Sequence, residues 1–79
     1  MINIFQSMKK IRALIIEDEA PARELIRFML SDHPEIEIAG ECGDGFCGAR
    51  EIKEQKPDLI FIDIQMPKLT GFELLEVID

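Results

Sequence analysis

Three acidic residues that directly follow short apolar runs have the type and spacing to carry chemistry. Glu17 and Asp18 follow the run 11–16, and Asp63 follows the run 59–62. Carboxylates that converge repel one another, and a hard divalent cation such as Mg²⁺ relieves that repulsion. With the cation in place, one carboxylate can attack phosphorus while the cation neutralises charge on the phosphoryl group. The simpler alternative is that these acids are solvated loop residues.

Whether the three carboxylates converge depends on the elements that carry them. Short apolar runs predict three strands, numbered 1 to 3 along the chain, at 11–16, 36–40 and 59–62. Apolar residues at helical spacing predict helix 1 over about 20–31 and helix 2 over about 46–55, and helix 3 begins near Gly71. Strand–helix alternation with short loops is typical of a parallel α/β sheet with right-handed crossovers.

The order of the strands decides where the acids meet. Strands 1 and 3 are nearly continuous apolar runs, as in strands covered on both faces, whereas strand 2 alternates as an edge strand does. We therefore predict the order 2-1-3 rather than 1-2-3. That order places the ends of strands 1 and 3 side by side, ~5 Å apart, at the switch point where ligands bind. The backbone carbonyl of Gln65 could supply a further metal ligand.

The helices are predicted to bury one apolar face each. In helix 1 the shared face comprises Ala22, Leu25, Ile26, Met29 and Leu30. In helix 2 it comprises Phe46, Ala49 and Ile52. Asp44 and Gly45 are interpreted as turn residues before helix 2.

Composition excludes several classes of function. The net charge is −7 with only nine scattered Lys and Arg residues, so these residues make an unsuitable nucleic-acid surface and suit a cation or a basic partner. No stretch approaches the ~20 apolar residues of a membrane span, and the N-terminus lacks the pattern of a signal peptide.

The sequence has two cysteines, Cys42 and Cys47. Only His33 could add a further soft ligand to them, which leaves too few ligands for a zinc site. We interpret them as reduced, partly buried thiols rather than as a disulfide.

Two motifs together resemble a known family. Residues 57–67, PDLIFIDIQMP, continued by GFELL at 71–75, look like the phosphoacceptor segment of response-regulator receiver domains. Residues 15–19, IIEDE, look like their metal-binding acidic segment. The resemblance implies a flavodoxin-like, doubly wound α/β fold in which 10–79 form a partial receiver with strands 4 and 5 missing. Residues 1–9 would then be an N-terminal extension, expected to be poorly ordered.

The resemblance also assigns roles to the acidic residues. It implies that Asp63 is phosphorylated by a sensor histidine kinase, that Asp18 binds Mg²⁺ directly and that Glu17 binds it through water. Asp63 and the Gln65 carbonyl would complete the protein ligands. In the loop that follows, Met66 and Pro67 would shape the backbone over the site, and Gly71 would allow the turn into helix 3.

A narrower resemblance concerns what the receiver controls. The segments APAR at 20–23, IQMP at 64–67 and Gly71-Phe72 are similar to receivers of the LytTR type, which precede a DNA-binding domain. This implies a cytoplasmic transcription regulator that touches DNA only through an output domain absent from this sequence, with no DNA-binding residues here.

The missing strands leave two further expectations. Strand 3 would be a bare apolar edge, so we predict a homodimer formed through the strand 3 and helix 3 edge. A non-catalytic dimerisation module that retains a relic acidic pocket stays open as an alternative. A related metal-dependent phosphohydrolase is disfavoured, because Gln65 stands where such enzymes usually carry a second Asp.

Overall fold

The computed structural model describes residues 9–62, and these form three strands and two helices. In chain order the elements are β1 (Ile11–Ile16), α1 (Ala20–Leu30), β2 (Ile36–Cys42), α2 (Gly45–Gln55) and β3 (Leu59–Ile62). The predicted strands 1 and 3 are confirmed at their stated bounds. The predicted helix 3 and the N-terminal residues 1–8 lie outside the described residues.

The sheet is parallel and has the order β2-β1-β3, which confirms the predicted topology. β1 is therefore the central strand, with β2 on one side and β3 on the other. Its register against β2 shifts between Ala13 and Leu14, where Ala39 is the extra residue of a bulge. Beyond the bulge Ile16 is level with Cys42 on one side and with Ile62 on the other.

The core is centred on β1, because this strand is covered on both faces. Residues 13–16 are completely buried. The connections from β1 to β2 and from β2 to β3 run in opposite directions, so right-handed crossovers place α1 and α2 on opposite faces. Leu14 and Ile16 point toward α2, where they pack with Cys42, Cys47, Ala49, Ile52, Ile60 and Ile62.

The predicted faces of the two helices are each partly wrong. In α1, Leu30 is buried and Ile26 half-buried, but Leu25 and Met29 are exposed. In α2, Ala49 and Ile52 pack against the core as expected, whereas Phe46 is exposed.

The connection between β2 and α2 is shorter than predicted. β2 continues two residues further, to Cys42, because the bulge at Ala39 keeps it paired with β1 to the end. α2 begins one residue earlier, at Gly45. Asp44 is the N-cap, and its carboxylate accepts a 2.8 Å hydrogen bond from the backbone N–H of Cys47.

The interpretation of the two cysteines as reduced thiols is also wrong for this structure. Cys42 and Cys47 form a disulfide, with their Cα atoms 5.6 Å apart. The longer strand and the earlier helix bring the two positions within disulfide range. No helix within residues 9–62 is long and apolar enough to cross a membrane.

Candidate functional site

The candidate site lies at the edge of the sheet where β1 and β3 end. The last register pair between these strands is Ile16 with Ile62. Glu17 follows Ile16 in the chain, and Asp63 follows Ile62. The structure thus confirms that the two strands that lead into the acidic residues are parallel neighbours with level ends. Asp63 itself lies outside the described residues, as do Gln65, Met66, Pro67 and Gly71.

The backbone of Glu17 is held from both sides. Its N–H donates to the carbonyl oxygen of Cys42 at 2.9 Å, which extends the β1–β2 ladder by one bond. Its own carbonyl oxygen accepts a hydrogen bond from Nη1 of Arg23 at 2.7 Å. The start of the acidic loop is therefore fixed to the end of β2 and to the first turn of α1.

The carboxylates of the acidic loop are half-buried at this edge. Oε2 of Glu17 accepts a long hydrogen bond, 3.4 Å, from the backbone N–H of Glu19. The Asp18 side chain is half-exposed and has no hydrogen-bond or ion-pair partner within residues 9–62. Two adjacent carboxylates on a well-held backbone are the oxygen donors that a hard divalent cation takes. The described part of the donor set therefore fits Mg²⁺.

The third predicted carboxylate belongs to Asp63, which lies outside the described residues. Across residues 9–62 no cluster of three His, Cys, Asp or Glu side chains is arranged to hold a metal ion. Glu17 and Asp18 are two adjacent acidic residues at the end of β1.

A cavity adjoins the acidic edge. It measures about 370 Å³ and is lined by Ile16, Glu17, Ile26, Phe61 and Ile62. One water molecule takes about 30 Å³ of liquid volume, so this space can hold a small hydrated ion. Ile16, Ile26, Phe61 and Ile62 give this cavity an apolar wall, and Glu17 adds an acidic residue to its lining.

A bidentate ion pair joins α1 to β2. Arg27 donates to both carboxylate oxygens of Glu41, from Nε at 3.0 Å and from Nη2 at 2.9 Å. The hydrogen bond from Arg27 is the largest influence on Glu41 and lowers the pKa of that carboxyl below its usual value. The same bond raises the pKa of Arg27. This arginine is thus engaged by Glu41.

The sequence reasoning missed two residues that shape the site. Arg23 holds the carbonyl of Glu17, and Cys42 holds its N–H. The contact between Cys42 and Glu17 joins two backbone groups, so no pattern of side-chain types reveals it. The contact from Arg23 had a weak signal in the sequence, since Arg23 stands early in a helix that directly follows the acidic loop.

Comparison with known proteins connects this geometry to a family. The family model described as "Response regulator receiver domain" matches residues 13–79. Protein-glutamate methylesterase/protein-glutamine glutaminase 3 of Geobacter sulfurreducens is 44% identical over 71 residues, which are 90% of this chain and 19% of that protein. Transcriptional regulatory protein BtsR of Escherichia coli strain K12 is 41% identical over 69 residues, which are 87% of this chain and 29% of that protein.

A solved structure shows the same fold. The response regulator domain of CheB from Thermotoga maritima superimposes with a TM-score of 0.83 at 33% identity, over 87% of this chain and 52% of that one. The chain thus spans less than a third of the curated relatives it matches and about half of this solved domain. The three-stranded sheet of order β2-β1-β3 that residues 9–62 form has the topology of the flavodoxin-like receiver fold. The chain belongs to the response regulator receiver domain family, a family of signalling domains in two-component systems.

Proposed function

We propose that the chain accepts a phosphoryl group on Asp63 from a sensor histidine kinase, in a reaction that depends on Mg²⁺. The observation that carries this proposal is the level register of Ile16 with Ile62 at the ends of two adjacent parallel strands. The residues that follow these positions are Glu17, Asp18 and Asp63. Few other arrangements of a sheet would bring the chain to one edge immediately before three carboxylates.

Each acidic residue takes a separate role in this proposal. Asp18 binds the cation directly, which suits a half-exposed carboxylate with no partner within residues 9–62. Glu17 binds through a water molecule, and Asp63 and the Gln65 carbonyl complete the protein ligands. When bound, the cation supplies charge neutralisation for the transferring phosphoryl group. A carboxylate oxygen of Asp63 forms the new bond to phosphorus while the bond from phosphorus to the kinase histidine nitrogen breaks, and the histidine side chain leaves with that electron pair.

The residues after Asp63 support the site in the same proposal. Met66 and Pro67 shape the loop over the phosphoryl group, and Gly71 allows the turn into the helix that follows. These three residues lie beyond the described part of the chain, so their roles rest on the resemblance of the segment to receiver sequences.

The output is proposed to be transcriptional and of the LytTR type, in the cytoplasm, with DNA contacts made only by an output domain outside this sequence. The APAR segment at 20–23, which forms the first turn of α1, supports this assignment. The matched relatives are named for two different activities, a methylesterase/glutaminase and a transcriptional regulatory protein. The part they share with this chain is therefore compatible with either output.

A second candidate function is a non-catalytic dimerisation module that keeps a relic acidic pocket. One observation favours it: among the described strands, β3 pairs with β1 alone and leaves its other edge open. An open apolar edge favours pairing with a second chain. We propose a homodimer through the strand 3 and helix 3 edge, which light scattering at micromolar concentration would test. A well-folded monomer there would contradict it.

Phosphorylation by acetyl phosphate tests the first proposal. The chain is incubated with acetyl phosphate and Mg²⁺ and its intact mass is measured. We expect a phosphate adduct at low stoichiometry, since the resemblance implies that a Ser or Thr and a Lys which contact the phosphoryl group lie outside this sequence. The adduct should disappear in Asp63→Asn and on chelation of Mg²⁺, and should persist in the control Asp32→Asn, which alters an exposed carboxylate.

The metal site has its own readout. In Asp18→Asn the Mg²⁺ concentration needed for half-maximal adduct should rise on the order of ten-fold or more, because a direct ligand is lost. An adduct that persists in Asp63→Asn would place the phosphoryl group elsewhere. No adduct at any Mg²⁺ concentration would leave the dimerisation module as the better function.

A further inference from the structure

The pair Cys42 and Cys47 lies at the same edge of the sheet as the acidic loop. Cys42 is the last residue of β2 and is 2% exposed. Cys47 stands in the first turn of α2 and is half-buried. We propose that these two residues are a reversible dithiol–disulfide site, oxidised by a low-molecular-weight disulfide and reduced again by the corresponding thiol.

The backbone holds the two cysteines together whether or not they are bonded. Asp44 caps α2 through the N–H of Cys47 at 2.8 Å. The carbonyl of Cys42 accepts the N–H of Glu17 at 2.9 Å. Neither hydrogen bond involves sulfur, so both survive reduction and keep the Cα atoms near their 5.6 Å separation. The disulfide bond between two cysteines held in this way can break and form again without refolding of the β2–α2 connection.

A purely structural role explains the pair less well. The bond spans five positions along the chain, and a disulfide that closes a short loop removes less entropy from the unfolded state than one that closes a long loop. The loop is also already fixed by the helix cap. Disulfides of cytosolic proteins are usually transient and catalytic or redox-sensing, which agrees with the location proposed above.

The two sulfur atoms differ in access and in electrostatic surroundings. Cys47 is the more accessible, and its position in the first helical turn lies near the positive end of the α2 dipole. Nη2 of Arg50 approaches its sulfur at 3.7 Å. Reactive cysteines occupy such electropositive, partly exposed positions, whereas fully buried ones are inert. Cys47 is therefore the attacking thiol and Cys42 the resolving one.

The exchange proceeds in two steps that balance. The Cys47 thiolate attacks one sulfur of the small disulfide, which forms a mixed disulfide and releases one small thiolate that takes up the proton Cys47 has lost. Cys42 then loses its proton and attacks Sγ of Cys47, which releases the second small thiol. Two protein thiols are oxidised by two electrons, and one small disulfide is reduced to two thiols.

The oxidised form ties the first turn of α2 covalently to the strand end that holds Glu17. Cys42 is level with Ile16 in the sheet, and its carbonyl carries the hydrogen bond that positions the acidic loop. The redox chemistry itself is independent of phosphoryl transfer to Asp63, so either can be tested without the other.

A titration in glutathione buffers tests the proposal. The chain is equilibrated across a series of ratios of glutathione disulfide to glutathione, quenched with acid, alkylated and weighed intact. The same series is run in concentrated urea. We expect the native chain to become half-oxidised at a ratio at least ~10-fold lower than the unfolded chain, because the fold holds the two thiols together. Equal midpoints would overturn the proposal, as would oxidation that yields only disulfides between chains.

Single-cysteine variants test the assigned order of attack. In Cys42→Ser, Cys47 should form a mixed disulfide with glutathione that accumulates, since no resolving thiol remains. In Cys47→Ser, Cys42 should react at least ~10-fold more slowly because it is buried. The two variants are also compared in urea. If Cys42 and Cys47 react with glutathione disulfide at rates that differ no more in the folded variants than in urea, the fold does not distinguish the two thiols and the assignment is overturned.

Discussion

The two helices of the described fold show similar apolar periodicity but differ in how well they are packed. α2 lies close against the sheet at Gly48, and Ala49 and Ile52 join the core around Ile16. α1 buries Leu30 alone and leaves a row of large apolar side chains exposed, at Leu25, Phe28 and Met29. A periodic pattern therefore identifies which face of a helix is apolar, but not how much of that face the neighbouring strands cover.

The difference arises from the residue that each helix presents to β1. Gly48 has no side chain, so α2 approaches until a Cβ built at that position would lie 2.6 Å from Cδ1 of Ile16. α1 contains no glycine, and its buried residue is Leu30 at its C-terminal end. An exposed apolar row of this kind is typical of a surface that another part of a protein or another chain covers.

The largest expected effect comes from filling the close contact of α2. A Cβ at Gly48 would meet three side-chain atoms of Ile16, which is completely buried, so the surrounding core would have to shift. Gly48→Leu should lower the free energy of unfolding by about 3 kcal/mol, because a whole side chain is forced into a packed core. The measurement is urea unfolding at one fixed protein concentration.

A surface substitution on the same helix is the matched control. Glu54 is exposed, and Glu54→Leu should change the unfolding free energy by less than about 0.5 kcal/mol. If Gly48→Leu were equally mild, α2 would not pack as closely as the structure shows, and the contrast between the two helices would fail.

The second prediction compares two leucines within α1. Leu30→Ala should cost about 2–3 kcal/mol, because it removes buried methyl groups and leaves a cavity. Leu25→Ala should cost less than about 1 kcal/mol, since Leu25 is 57% exposed. Similar losses for both would show that Leu25 is covered in solution. Repeating the Leu25→Ala measurement at several protein concentrations would then reveal whether a second copy provides the cover.

The third prediction concerns the starts of the two helices. α2 has a side-chain cap from Asp44, so Asp44→Ala should cost about 1 kcal/mol. The N-cap of α1 is Glu19, which makes no side-chain cap bond although its backbone is extended, as a cap requires. Glu19→Ser should therefore stabilise the fold by about 0.5 kcal/mol. Its control is Glu24→Ser within α1, which should destabilise slightly because Ser is a weaker helix former than Glu.

The sheet was predictable from the sequence because its evidence is local and redundant. Strands 1 and 3 are uninterrupted apolar runs, and the alternation in strand 2 identified it as the edge. The level ends of β1 and β3 follow from that order. The placement of Glu17 and Asp18 at one edge was therefore accessible from the sequence, and the role of Asp63 stays a prediction.

What the sequence did not reveal depends on contacts between distant backbones. The bulge at Ala39 lengthens β2 to Cys42, and this extension brings Cys42 near Cys47. A bulge of one alanine leaves no mark in a hydrophobic pattern. The close approach at Gly48 was missed for a related reason, since a glycine inside a helix is read as a weak helix former rather than as a contact point.

The smallest expected effect tests the ion pair that joins α1 to β2. The hydrogen bond from Arg27 lowers the pKa of Glu41 in the folded state below its ordinary value of 4.5. The stabilisation is therefore present above that ordinary value and is lost as the pH falls through the lower, folded one. Glu41→Gln should flatten this part of the profile of unfolding free energy against pH, whereas Glu54→Gln should not.

The difference in unfolding free energy between wild type and Glu41→Gln should shrink in concentrated salt, because both side chains are partly exposed and the charges are screened. An unchanged profile in Glu41→Gln would show that the ion pair contributes nothing to holding α1 against β2.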